Sequence, residues 1–227
     1  MNPAQALVFR LVASGDPLAL RVRCDLGRPD RRRLSLAVPS LDAFLGGGLP
    51  CGAITEVFGG LSSGKTTLAH ALVSATIRTG TFAAWIDLPN AFRPERSSDR
   101  VLWVAPPDGI TALRAAEHVL DAGGFQVLIL DLGVPVSSRS TVPVSRWLRM
   151  ARLAARRDVV ILVLSAEHVA GPFAALSLEA CAQHRRFAGT RGPSPVFQGV
   201  ESALYLRRSR YEQLPQSSVG LRALAED

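Results

Sequence analysis

The sequence predicts an α/β fold with a central, mostly parallel sheet flanked by helices. Two observations carry that expectation. From Leu34 onward, short apolar runs of strand character alternate with segments of helical periodicity, the pattern of parallel strands joined by helices that cover the sheet. One of those runs leads through a glycine-rich loop straight into a helical segment, so a strand delivers the loop to a helix N-terminus. A chain of 227 residues, 48% hydrophobic and 20% charged, is long enough for one such domain and its core.

In chain order, residues 6–12 and 18–24 alternate apolar and polar positions around Ser14-Gly15-Asp16-Pro17, which predicts a hairpin. Residues 27–33 carry Arg28, Arg31, Arg32 and Arg33 and read as a linker or basic arm. Strands are expected at Ala53–Phe58, Phe82–Asp87, 101–105, 127–131 and 159–165, and helices at Lys65–Arg78, 111–122 and Val144–Arg157. Residues 166–199, rich in loop signals, read as a long connection in which 173–183 has helical spacing, and a late strand at 201–208 precedes a polar tail. The division expected is an N-terminal hairpin and linker (1–33), a core (34–210) and a C-terminal tail (211–227).

This composition excludes a disordered chain, a collagen-like repeat and a disulfide scaffold. No apolar run approaches the roughly 20 residues of a bilayer span, and the N-terminus has no secretion-signal pattern. A cytoplasmic chain with no membrane partner is expected. Cys24, Cys51 and Cys181 lie far apart in no metal-ligand spacing, and the four histidines show none either. The formal charge of +7 favours polyanionic partners. Of the 26 basic residues, Lys65 is the only lysine, which marks a position needing a compact ammonium on a flexible stem.

Lys65 lies in the run Gly59, Gly60, Leu61, Ser62, Ser63, Gly64, Lys65, Thr66, which fits the phosphate-loop pattern G-x-x-x-x-G-K-S/T without a mismatch, and Thr67 continues into the helix. Glycines let backbone N–H groups converge on phosphate oxygens, and Lys65 reaches the terminal phosphates. Thr66 is placed to hold Mg²⁺. The buried-strand run Val127-Leu128-Ile129-Leu130 ends in Asp131, a carboxylate suited to Mg²⁺ directly or through water. ATP with Mg²⁺ is therefore the expected cofactor. Three basic groups are candidate surfaces for a protein partner or nucleic acid. They are Arg146, Arg149, Arg152 and Arg156 along one helix face, Arg185, Arg186 and Arg191 in the long connection, and the cluster Arg207, Arg208, Arg210. With no groove-reading motif, binding to single-stranded DNA is expected to be weak, electrostatic and non-specific.

Leu41-Asp42, Gly46-Gly47-Gly48-Leu49-Pro50, Gly52-Ala53-Ile54-Thr55-Glu56-Val57-Phe58-Gly59 and Ser62-Ser63-Gly64-Lys65-Thr66-Thr67 together resemble the ATP-binding core of RecA-type recombinases. The likeness continues through Trp85-Ile86-Asp87 and Val127 to Asp131, covers roughly residues 34–165, and implies a RecA-like P-loop domain. It also implies a water-activating glutamate at the position of Pro89, an adenine-stacking tyrosine near Arg96 and a γ-phosphate-sensing glutamine at Ala166. Proline cannot act as a general base. Residues 132–143 are shorter than the family's DNA-loop segment, and its lysines that reach ATP in a neighbouring subunit have no lysine counterpart. This shortened pattern is similar to the ImuA family, the RecA-like accessory proteins of bacterial mutagenic translesion synthesis. That resemblance implies RecA and an ImuB-type polymerase-like protein as partners, and a role in protein contacts tuned by ATP. An ATP-dependent single-strand DNA-binding recombinase paralogue is the alternative, and a small-molecule phosphotransferase is a third class.

Overall fold

The computed structural model describes residues 9–13, 32–92, 99–133, 143–188, 196–211 and 218–225. After β1 (Phe9–Ala13) come a short ladder of β2 (Arg33–Leu34) with β3 (Leu49–Pro50) and, between these two, α1 (Pro39–Phe44). The core continues through β4 (Ala53–Phe58), α2 (Lys65–Arg78), β5 (Phe82–Asp87), β6 (Val101–Val104), α3 (Gly109–Ala122) and β7 (Phe125–Asp131). It ends with α4 (Val144–Arg157), β8 (Val160–Ser165), β9 (Ala174–Ala188), β10 (Val196–Ser209) and β11 (Ser218–Ala225).

Among the described residues these strands form a nine-stranded sheet in the order β1-β11-β10-β9-β4-β8-β7-β5-β6. From β9 to β6 every pairing is parallel, whereas β10 and β11 extend the sheet antiparallel and β1 closes that side. The strand period of two divides the apolar residues between two faces. Val127 and Ile129 of β7 and Leu162 and Leu164 of β8 join α2's Leu68 and Leu72 in one core, while Leu128, Leu130, Ile161 and Val163 face α3 and α4 in the other. The expected α/β fold with helices on both faces is thus what the chain forms.

Local chemistry sets the helix ends. Asp108 caps α3, its carboxylate accepting from Thr111 N–H at 2.8 Å. α4 ends at Asp158 in the left-handed region (φ 55°), a conformation asparagine and aspartate tolerate better than most residues.

Two expectations are corrected. Residues 173–183 are strand, not helix, and most of the supposed connection 166–199 is the antiparallel pair β9/β10. β9 lies inside the sheet between β4 and β10, and its Ala174, Ala175, Leu176, Leu178 and Ala180 are all buried, Leu176, Leu178 and Ala180 in the core with α2 and Ala174 in the core with α3 and α4. A strand buried on both faces loses its alternation and imitates a buried helix. The expected tail, likewise, contains β11, which pairs with both β10 and β1. Residues 18–24, expected as the hairpin partner of β1, lie outside the described residues. The end of the expected basic arm is tied to the core. Arg33 Nη1 donates to Leu45 O at 2.7 Å and Gly48 O at 3.2 Å, and Arg32 pairs with Asp158 at 2.8 Å.

Candidate nucleotide-binding site

The site lies where ligands collect on open α/β sheets, outside the carboxyl ends of the parallel strands. β4 rises into the glycine-rich loop, and α2 leaves it with Gly64 at its N-cap (φ 86°). Gly59 is required by packing, because a Cβ there would lie 2.1 Å from Ala180 O of β9. The loop, Thr66 and Thr67 line a cavity of about 400 Å³ together with Asp131, Pro89, Ala166 and Val200. The structure therefore brings together the loop, both expected Mg²⁺ groups and two of the positions marked by family resemblance. Arg96 and Arg191 lie outside the described residues.

Lys65 folds back over its own loop. Its Nζ donates to the carbonyls of Gly59 and Gly60, the latter at 2.7 Å, and to Ser63 Oγ at 3.2 Å. Burial lowers the proton affinity of the ammonium, and the carboxylate of Asp131 partly restores it. Phosphate oxygens would compete directly with those neutral carbonyls for the charge. Asp131 ends β7 and is 6% exposed. Its pKa is raised to about 6, chiefly by burial and further by Asp87, against a 2.9 Å hydrogen bond from Gly133 N–H and the charge of Lys65. Thr66 and Asp131 offer oxygen donors to the same cavity, a donor set that suits the hard Mg²⁺ ion. When bound, Mg²⁺ neutralises charge on the β- and γ-phosphates.

The adjacent carboxylate does different work. Asp87, fully buried, accepts from Ala91 N–H at 3.1 Å, Phe92 N–H at 2.7 Å and Trp103 Nε1 at 3.3 Å, and so shapes the turn that carries Pro89 into the cavity wall. Pro89 packs on Gly133, where an added Cβ would meet its Cβ at 3.2 Å. Asp131 is the only carboxylate among the described residues lining the cavity. Val200 and Ala91 also line it and carry no signal in the sequence, since neither belongs to a contiguous motif and Val200 on β10 is more than a hundred residues from the loop. Glu56, a lone acid within the apolar strand Ala53–Phe58, stands outside the cavity wall and holds Val169 and Ala170 N–H instead.

The basic groups part company. Arg146 pairs with Glu117 at 3.1 Å, and Arg149 with Glu117 at 3.5 Å and Asp121 at 3.2 Å, so half of the expected stripe on α4 is neutralised by α3. Arg152 and Arg156 are exposed and form no ion pair among the described residues. Arg207 pairs with Glu179 at 2.5 Å and lies over the Tyr205 ring, Arg208 Nη1 donates to Gly171 O at 2.9 Å, and Arg210 is exposed. Arg207, Arg208 and Arg210 thus include one arginine committed to an ion pair and one to a carbonyl. Arg185 and Arg186 fall in β9 opposite Val200 and Gly199.

A glycine-rich loop between strand and helix, a lysine over it and a strand-end aspartate across the cavity together form the P-loop architecture. Residues 29–143, half of the chain, match the RecA N-terminal domain, and the chain belongs to that family. It is similar to Protein RecA of Synechocystis sp., 36% identical over 137 residues that make up 58% of this chain and 38% of that protein. Protein RecA of Corynebacterium aurimucosum is 37% identical over 139 residues, 58% of this chain and 36% of that protein. Protein RecA of Treponema pallidum is 38% identical over 117 residues, 47% of this chain and 29% of that one. The chain thus spans only 29% to 38% of the length of these curated relatives. No helix among the described residues is long and apolar enough to cross a membrane.

Proposed function

We propose that this chain is a RecA-like accessory factor of the ImuA type, acting in SOS-induced translesion mutagenesis rather than as a recombinase. It holds ATP and Mg²⁺ and turns ATP over poorly. The observation that carries this reading is Pro89 in the cavity wall, where the resemblance implies a water-activating glutamate and where Asp131 is the only described carboxylate. A general base contributes ~10²- to 10⁴-fold to such a reaction, so a bound ATP would be hydrolysed near background. Its partners in this reading are RecA and an ImuB-type polymerase-like protein, with single-stranded DNA bound weakly and without sequence preference. The intact loop from Gly59 to Thr67 favours one other reading, an ATP-dependent recombinase paralogue.

The test is equilibrium ATP binding measured beside turnover, with and without single-stranded DNA. Binding with near-background turnover that DNA does not stimulate is expected, and Pro89→Glu should raise turnover by at least about tenfold. DNA-stimulated hydrolysis that Lys65→Ala eliminates would establish the recombinase reading instead. Failure to associate with either protein partner at micromolar concentration would refute the accessory role.

A further inference from the structure

We infer that the outer face of α4 is a docking surface for an acidic amphipathic helix. The face differs from the stripe of arginines that the sequence offers. Arg146 turns toward α3 and pairs with Glu117, and Arg149, paired with Glu117 and Asp121 yet still 60% exposed, forms the rim of a solvent face made by Val144, Ser145, Leu148, Arg152, Ala155 and Arg156. Val144 is 67% exposed and Leu148 39%. At 100° per residue these six positions span roughly 120° of the helix, with the aliphatic residues along one flank and Ser145 with the two arginines along the other. Trp147, Met150, Leu153 and Ala154 on the opposite side are buried in the core, so the rotation of the helix is fixed.

Charge and shape select the occupant. Arg152 and Arg156 stand one turn apart with no carboxylate among the described residues paired to either, and like charges at that spacing oppose each other until an anion approaches. Two carboxylates one turn apart on a facing helix match them. The aliphatic flank gives a partner's apolar residues a surface to cover. Leu148 lies beside the small, exposed Ala155 on the same flank, a large residue next to a small one as ridge-into-groove packing of helices uses. A nucleic acid would find charge but no aromatic platform on this face, since bases stack on rings and not on valine, leucine or alanine. This inference does not depend on nucleotide binding.

The probe is a fluorescein-labelled synthetic helical peptide with leucines along one stripe and glutamates one turn apart beside it, titrated with the full chain and followed by anisotropy. Micromolar binding is expected, lost by about tenfold or more in Leu148→Asp and in the double variant Arg152→Glu/Arg156→Glu. The double variant should in turn favour a peptide with lysines in place of the glutamates. Arg78→Glu, which changes the charge equally at each site but at the end of α2 on the opposite face of the sheet, should leave affinity within about twofold of the wild type. These side chains are exposed, and thermal melts matching the wild type would establish that the variants fold. The proposal is overturned by no binding, by equal affinity for a scrambled peptide, by variants that bind as the wild type does, or by an oligothymidylate that binds the face in place of the peptide.

Discussion

Asp131 is a carboxylate whose surroundings suit it only when something cationic arrives. Buried at the end of β7, with Lys65 engaged by the carbonyls of Gly59 and Gly60, it titrates at about 6 rather than at the usual 3.8. The folded protein therefore binds this proton more tightly than the unfolded chain does, and the contribution of Asp131 to stability improves as pH falls. Its destabilising effect is fully present above about pH 6 and gone below about pH 4, and a shift of this size corresponds to up to about 3 kcal/mol. Asp131→Asn keeps an oxygen to accept from Gly133 N–H. In the absence of nucleotide it should stabilise the protein at neutral pH by up to about that amount, with the advantage vanishing near pH 4. Urea denaturation of both proteins across this range measures it, and an advantage that grows toward low pH would contradict the assignment.

At the scale of elements, Glu56 joins three pieces of chain that are remote in sequence. Its buried carboxylate on β4 accepts from Val169 N–H at 2.6 Å and Ala170 N–H at 2.8 Å in the segment after β8, from Ser177 Oγ at 3.4 Å on β9, and pairs with His168. Glu56→Ala would leave those N–H groups without an acceptor and should cost about 3–5 kcal/mol. Glu56→Gln keeps a carbonyl oxygen for them and should cost distinctly less, a ranking that denaturant titration reads directly. The same distinction between local and remote contacts decides what the sequence makes legible. The bounds of β4, α2, β5 and α4 coincide with those expected, because each is set by neighbours in the chain: the loop at Gly59–Gly64 before α2, for example. The strand character of 174–180 is not legible, because its burial follows from elements remote in sequence, Leu176, Leu178 and Ala180 joining the core with α2 and Ala174 the core with α3 and α4. Of the site, the loop and Asp131 are legible as contiguous motifs. Val200 in the wall and the pairing of Arg146 and Arg149 with α3 arise only when the elements pack.

Over the whole molecule, the cavity draws on the loop after β4, α2, the turn after β5, β7, β8 and β10, so a ligand that fills it binds the assembled sheet and not the unfolded chain. Such a ligand stabilises by mass action, by about 2.7 kcal/mol at a hundred times its Kd. For a domain of about this size each kcal/mol raises Tm by roughly 2–4 °C. ATP with Mg²⁺ at that excess should therefore raise Tm by about 5–10 °C, whatever the rate of turnover, which separates holding the nucleotide from hydrolysing it. Lys65→Ala removes the one ammonium in the cavity while disturbing little of the fold, since that group is held by loop carbonyls and its charge is already disfavoured by burial. Its Tm without nucleotide should lie within a few degrees of the wild type, about the scale of one modest interaction, and should no longer respond to ATP. Scanning calorimetry on both proteins decides the matter. A wild type that ignores millimolar ATP and Mg²⁺ would show that the loop has lost its ligand, and an equal response in Lys65→Ala would place the nucleotide elsewhere on the molecule.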